Sequence, residues 1–266
     1  MRRAAALLGA CHPGPAFAVT LLAGLLAGAV GLDAGGIVLV VAAVLAGQLS
    51  IGWSNDLIDL ARDRAVGRGD KPLVDGRVSG RTVQVACAVA AVACVPLSLA
   101  CGWLAGLVHL VCVAAAWAYN LGLKATPWSW LPYAVAFGGL PVFVSLTAEP
   151  DQVPPLWLPV AGALLGVGAH FVNVLPDLAD DAATGVRGLP HRLGPRWSQV
   201  VAAAVLVVAA VVIVVGAPVD SGLVAALALV VTAGLAAVAL LASGRAPFRA
   251  AIAMALVDTA MLVWAR

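Results

Sequence analysis

An all-α integral membrane protein, with nine transmembrane helices in a single bundle, is the fold class that this 266-residue sequence predicts. Three observations predict it. Hydrophobic residues make up 63% and charged residues only 11%, with a mean hydropathy of +1.04, which leaves too little polar surface to cover a soluble globule. Apolar stretches of about 17–25 residues, the length an α-helix needs to cross a bilayer, recur between polar breaks. Lysine and arginine keep to alternate connections.

The predicted spans cover about 15–32, 36–53, 83–100, 103–120, 128–147, 156–176, 198–217, 221–242 and 247–265. Arg2 and Arg3 precede the first, and Arg62, Arg64, Arg68, Lys71, Arg77 and Arg81 follow the second. In the third, Cys87, Cys94 and Cys101 recur every seven residues, a small-residue stripe for helix contact that carries no Cys-x-x-Cys pair. The fourth closes on Trp117-Ala-Tyr119-Asn120-Leu-Gly-Leu-Lys124, and the fifth follows at once. The sixth is the least clean because it holds His170 and Asn173, and Arg187, Arg192 and Arg196 come after it. Arg245 and Arg249 follow the eighth, and the ninth carries Asp258.

This arrangement puts 14 of the 15 basic residues on one side, with Arg266 the exception. By the positive-inside rule that side is cytoplasmic, so the amino terminus is expected inside and the carboxy terminus outside. Asp33, Glu149, Asp151 and Asp220 occupy the opposite connections, which hold no Lys or Arg. The net charge of +2 therefore reflects topology and implies no nucleic-acid surface. Leu8-Gly9-Ala10-Cys11 looks like a lipoprotein cleavage box, but its apolar lead is too short, and export of Cys11 contradicts the charge pattern.

Two acidic segments follow one template, Asn55-x3-Asp59-x3-Asp63-x3-Gly67 and Asn173-x3-Asp177-x3-Asp181-x3-Gly185. The offset is 118 residues, and it also equates Pro72 with Pro190 and Gly76 with Gly194. Four spans separate the copies, so the repeat is parallel and both copies are expected at the cytoplasmic face, able to converge on one site. One continuous domain is expected, with related segments of about 15–124 and 128–242 plus the ninth helix.

At 100° per residue Asp56, Asp59 and Asp63 fall within roughly 60° of one another. Asn173, Asp177 and Asp181 are likewise expected to stack on one helix face, with Asp180 beside them. Crowded carboxylates near hydrocarbon are costly unless a cation binds them. Hard oxygen donors without nearby Cys or His point to Mg²⁺, which usually shares its shell with substrate phosphates. Arg68, Lys71 and Arg77 after the first copy, and Arg187, His191 and Arg192 after the second, suit the phosphate oxygens. Tyr119 is placed to offer a π face or hydroxyl to a reacting group, or to anchor at the interface.

These residues resemble the UbiA superfamily of intramembrane prenyltransferases. Its first signature reads Asn55-Asp56-Leu-Ile-Asp59-Leu-Ala-Arg62-Asp63, followed by Lys71-Pro72-Leu73-Val-Asp-Gly76-Arg77-Val-Ser79. The second reads Asp177-Leu-Ala-Asp-Asp181, followed by Gly185 and Leu189-Pro190-x-Arg192-Leu193-Gly194, and residues 119–124 resemble the stretch between them. The resemblance implies a helical bundle around a central cavity. It implies Mg²⁺ on Asn55, Asp59, Asn173, Asp177 and Asp181, with Asp56 and Asp63 supporting or ligating. It implies diphosphate on Lys71, Arg77, Lys124, Arg68 and Arg192, and catalysis through Asp59, Asp63, Asp177, Asp181 and Tyr119. Trp53, Trp117, Phe137 and Phe171 join Tyr119 as candidates to face an allylic cation. The chain departs from the family's pattern at Val174 after Asn173, at Lys71 in place of arginine, and at His12 where relatives carry an arginine near the proline.

The resemblance thus implies Mg²⁺-dependent transfer from a prenyl diphosphate to an unidentified lipophilic or aromatic acceptor among membrane lipid. A terpene cyclase of the same type, which needs no acceptor, shares the departure chemistry. A cation transporter fits the parallel repeat but not the placement of both acidic segments on one face.

Overall fold

The structure, a computed structural model, describes residues 2–178, 181, 185–217, 222–242 and 246–264, with the side chains of Arg2, Arg3 and Asp177 outside the description. Every regular element among the described residues is helical. The α-helices are α1 (Arg2–Gly9), α2 (Pro13–Ala29), α3 (Ala34–Ala65), α4 (Gly80–Ala100), α5 (Trp103–Leu121), α6 (Leu131–Ala148), α7 (Trp157–Val174), α8 (Leu189–Gly216), α9 (Gly222–Leu241) and α10 (Ala246–Trp264).

Helices α3 to α10, eight in all, are long and apolar enough to cross a membrane. This is an integral membrane protein. The expected first span corresponds to α2, whose 17 residues make it shorter than the other eight, so the count of nine is not reproduced. Pro13 at its start and the Gly31 turn at φ +80° after its end set those limits.

The chain forms two compact units, Met1–Gly122 with Phe143–Gln152, and Leu123–Val142 with Val153–Arg266. In the first, α3 packs against α2, α4 and α5 around Trp53, Leu73, Val83 and Cys87. The cysteine stripe serves this contact, as its spacing suggests: Cys87 Sγ donates to Ser50 O at 3.4 Å and Cys94 Sγ to Ala43 O at 3.8 Å. Asp33 and Ser79 cap α3 and α4 by accepting from Gly36 N and Thr82 N. His109 is a packing residue, stacked on Phe143 and bonded to Ser98.

In the second unit α7, α8, α9 and α10 enclose Leu158, Leu206, Ile213, Met254 and Leu262. Large apolar side chains on the outside of α9, among them Leu223, Leu227 and Val230, are exposed, as suits a surface solvated by lipid rather than water.

Candidate active site

Helix α3 runs unbroken through the first acidic segment, so its acids form the single stripe that the spacing predicts. Asp56, Asp59 and Asp63 are only 2%, 5% and 5% exposed. Buried carboxylates need counter-charge, and the chain supplies it. Lys71 Nζ lies 2.9 Å from Asp56 Oδ1 and 2.7 Å from Asp63 Oδ2. Arg62 Nη2 lies 2.6 Å from Asp59 Oδ2, and His12 Nε2 lies 3.0 Å from Asp56 Oδ1. Burial works against the Lys71 charge, but the Asp63 hydrogen bond and the Asp56 charge outweigh it and hold the ammonium above the usual lysine value.

Local structure explains both contacts. Past Asp63 the helix stops at Gly67, whose φ of +72° turns the chain back, while Arg68 N donates to Asp63 O at 3.0 Å. The turn returns Lys71 to the stripe. His12 starts α2 at φ +54°, the one non-glycine in the left-handed region among the described residues. Gly52 allows this approach, because a Cβ there would stand 2.0 Å from Cys11 O.

Asn55 Nδ2 donates to Asn120 Oδ1 at 3.1 Å, and Asn120 Nδ2 donates to Ile51 O and Ser54 Oγ at 3.0 and 2.9 Å. Asn120, which sequence reasoning did not single out, therefore orients Asn55. Arg68 and Arg77, expected on phosphate, are engaged on the loop surface: Arg68 pairs with Asp70 at 3.1 Å, and Arg77 pairs with Asp75 and donates to Asp70 O. The indole N–H groups of Trp53 and Trp117 donate to Leu7 O and Ser50 Oγ, and Trp53 lies in the core.

The second segment, in the other unit, is built differently. The expected stack of Asn173, Asp177 and Asp181 lies partly outside the described residues, but the helix that was to carry it is interrupted, with helical backbone again at Leu178 and Asp181. Helix α7 ends at Val174 and Leu175–Asp177 is a 3₁₀ turn, because Pro176 has no N–H for the α-helical ladder. The Asp177 side chain and Asp180 lie outside the described residues. Asn173 Nδ2 donates to Tyr133 OH at 3.2 Å, and Tyr133 stacks on Phe137. His191 Nε2 stands 3.4 Å from Asp181 Oδ2. Arg192 is exposed and donates to Arg187 O.

The start of α8 is pinned. Leu189 N donates to Ser129 Oγ at 2.9 Å, and Ser129 Oγ meets His170 Nε2 at 3.0 Å. Lys124 is buried in the 3₁₀ turn Leu123–Ala125, and its carbonyl would stand 2.6 Å from a Cβ at Gly188. Phe171 is buried in a core cluster, so it packs. Tyr119 is half-buried on α5.

The internal repeat is a structural one. Gly185 has φ +84° where Gly67 has +72°, and Gly194 has +80° where Gly76 has +79°. Val186 N donates to Asp181 O at 2.9 Å, the same bond at the same offset as Arg68 N to Asp63 O.

Among the described residues no three His, Cys, Asp or Glu side chains converge as a finished metal cage. The fit to a divalent ion rests on a stand-in: the Lys71 ammonium, a compact cation, sits between carboxylate oxygens of Asp56 and Asp63. Hard oxygen donors of this kind suit Mg²⁺.

A membrane-spanning helical chain with a buried acidic stripe, whose sequence template is repeated, defines the class. The description of the UbiA prenyltransferase family matches residues 16–264, and the chain belongs to that family. It is 33% identical over 204 residues to the bacteriochlorophyll synthase 33 kDa chain of Cereibacter sphaeroides, covering 69% of this chain and 66% of the relative. It is 31% identical over 168 residues to the digeranylgeranylglyceryl phosphate synthase of Methanothrix thermoacetophila, covering 58% and 57%. The chain thus matches less than two thirds of the length of these relatives. The fold is also that of a UbiA homologue from Archaeoglobus fulgidus bound to DMAPP and Mg²⁺, with a TM-score of 0.72 at 16% identity, covering 97% of this chain and 98% of that one.

Proposed function

We propose that this chain transfers a prenyl group from a prenyl diphosphate to a lipophilic or aromatic acceptor within the membrane, with Mg²⁺ as cofactor. The observation that carries the reading is the buried stripe Asp56, Asp59 and Asp63, with the Lys71 ammonium held between Asp56 and Asp63. Carboxylates this deep at a helix end serve no topological need, and they suit a metal–diphosphate headgroup. The relatives named above and the neighbour bound to DMAPP and Mg²⁺ support the same substrate class.

In this reading Asn55, Asp59, Asp177 and Asp181, with Asp56, Asp63 and Asn173, hold the metal. Bound Mg²⁺ supplies charge neutralisation for the departing diphosphate. Lys71 moves from the carboxylates to the diphosphate oxygens, joined by Lys124, Arg68, Arg77 and Arg192. Tyr119 faces the allylic cation, and the apolar helices take the isoprenoid tail and exclude water. The two acidic segments act as parts of one functional domain on the cytoplasmic face, as the distribution of Lys and Arg supports.

The test is purified full-length protein with farnesyl or geranylgeranyl diphosphate, with and without Mg²⁺ and a panel of lipophilic and aromatic acceptors. Diphosphate release that requires both Mg²⁺ and an acceptor is the expected result. A cyclised hydrocarbon or alcohol formed without acceptor replaces transfer by cyclisation, and no diphosphate release under any condition overturns the enzyme reading.

A further inference from the structure

The His191 imidazole is buried without a hydrogen bond among the described residues. Its side chain is 5% exposed, and neither ring nitrogen has a hydrogen-bond partner among the described residues. A neutral imidazole carries one donor and one acceptor, and burying both unmet is unfavourable. The repeat sharpens the anomaly. At the 118-residue offset His191 corresponds to Leu73, which is 3% exposed in the apolar core of the first unit. A leucine fills that slot without any polar debt, so a histidine there needs another reason.

Its position supplies one. Gly185 turns the chain at φ +84°, Ser129 fixes Leu189 N, and the first turn of α8 then sets His191 Nε2 3.4 Å from Asp181 Oδ2. That distance is too long for a good hydrogen bond. It matches two ligands of one ion: donor atoms each about 2.1–2.2 Å from a shared metal, at 90–109°, lie about 3.0–3.6 Å apart.

We propose that His191 is a nitrogen ligand, beside Asp181, of the divalent metal at the second acidic segment. The proposal rests on the metal-dependent reading above and deepens it. An oxygen-only shell at the first segment favours Mg²⁺, whereas one imidazole at the second favours borderline ions such as Mn²⁺ and Co²⁺. The chain then carries two metal positions of unlike preference.

The test is electron spin echo spectroscopy of the full-length protein in nanodiscs with Mn²⁺ and inorganic diphosphate. Expected is a directly bonded ¹⁴N coupling that changes to the ¹⁵N pattern on histidine labelling. It disappears in His191→Leu, the residue of the sister copy, and persists in His12→Gln. Mn²⁺ binding at one class of site weakens on the order of 10-fold or more in His191→Leu, since even the outer partners of metal ligands have effects of that size. Bound Mn²⁺ without nitrogen coupling in the unmodified protein overturns the proposal and leaves the metal-dependent reading standing. So does a coupling that survives in His191→Leu or vanishes in His12→Gln. Failure to bind Mn²⁺ at all sinks both. The labelling experiment needs no variant, so poor folding of His191→Leu does not leave the question open.

Discussion

In the first acidic segment three buried carboxylates meet Lys71, Arg62 and His12, whereas in the second Asp181 is 27% exposed and faces an imidazole at 3.4 Å. The same template yields both. The 118-residue register shows where they part: Arg62 corresponds to Asp180, Asp56 to Val174, Lys71 to Leu189 and Ile58 to Pro176. The first copy brings its own cations and an unbroken helix. The second brings an acid in place of Arg62, a valine in place of Asp56, no lysine and a helix break. The copies thus differ in how their acids are met: Lys71 and Arg62 pair with the first stripe, whereas a leucine and an aspartate stand at those two positions in the second.

The largest effect that would break this comparison is on turnover. Asp59 lies in the stripe and pairs with the local Arg62, so Asp59→Ala removes a carboxylate proposed to hold the metal without opening the core. Diphosphate release should fall about 10²–10³-fold, the usual cost of losing one preorganised charge-stabilising group. Unchanged release rates would mean that the first segment takes no part in the chemistry.

Next is the internal counter-ion. Lys71→Met leaves Asp56 and Asp63 buried side by side, and removing one partner of a buried ionic group costs about 3 kcal/mol. Unfolding measured in EDTA should show that loss, and Mg²⁺ should return much of it, raising the Tm of Lys71→Met more than that of the unmodified protein. Equal Tm values in EDTA would show that Lys71 does not neutralise the stripe.

The helix break comes third. Pro176→Ile gives the second copy the residue of the first and lets α7 continue past Val174. Stability should hold or rise, because a helix-breaking proline is gone. Turnover should drop by about 10- to 100-fold, as displacement of positioned groups by an ångström can do. If turnover is unaffected, the difference between the two helix ends has no functional weight.

How much of this was legible in the sequence follows from the range of each interaction. The acidic stripe on α3 was readable because helical periodicity is local, and the paired glycines because φ near +80° selects glycine. The membrane class followed from hydropathy alone. Pro176 was visible, but the 3₁₀ turn it makes at Leu175–Asp177 was not read from it. Lys71 was expected on phosphate, yet its position between Asp56 and Asp63 depends on how the Gly67 turn closes. His12 depends on Gly52 accepting a backbone carbonyl from 41 residues away, and Asn120 on packing of α5 against α3. None of these has a periodic signature.

The smallest expected effect tests the repeat itself. Gly67 and Gly185 turn the chain at φ +72° and +84°, and neither has an atom within 4 Å of an added Cβ among the described residues. Substitution to alanine therefore adds backbone strain and no clash. Gly67→Ala and Gly185→Ala should each cost about 1 kcal/mol, the penalty of an L-residue in the left-handed region, read as equal shifts in denaturation midpoint. Their activities should diverge even so. At Gly67 the turn carries Lys71, whose contacts with Asp56 and Asp63 resist a small displacement. At Gly185 it carries His191, which has no hydrogen bond among the described residues to hold it. Equal stability loss with a greater loss of activity at Gly185 would fit a shared turn serving two differently anchored segments. Unequal stability loss would mean that the matching dihedrals conceal different supports, and that the copies have drifted apart in packing as well as in charge.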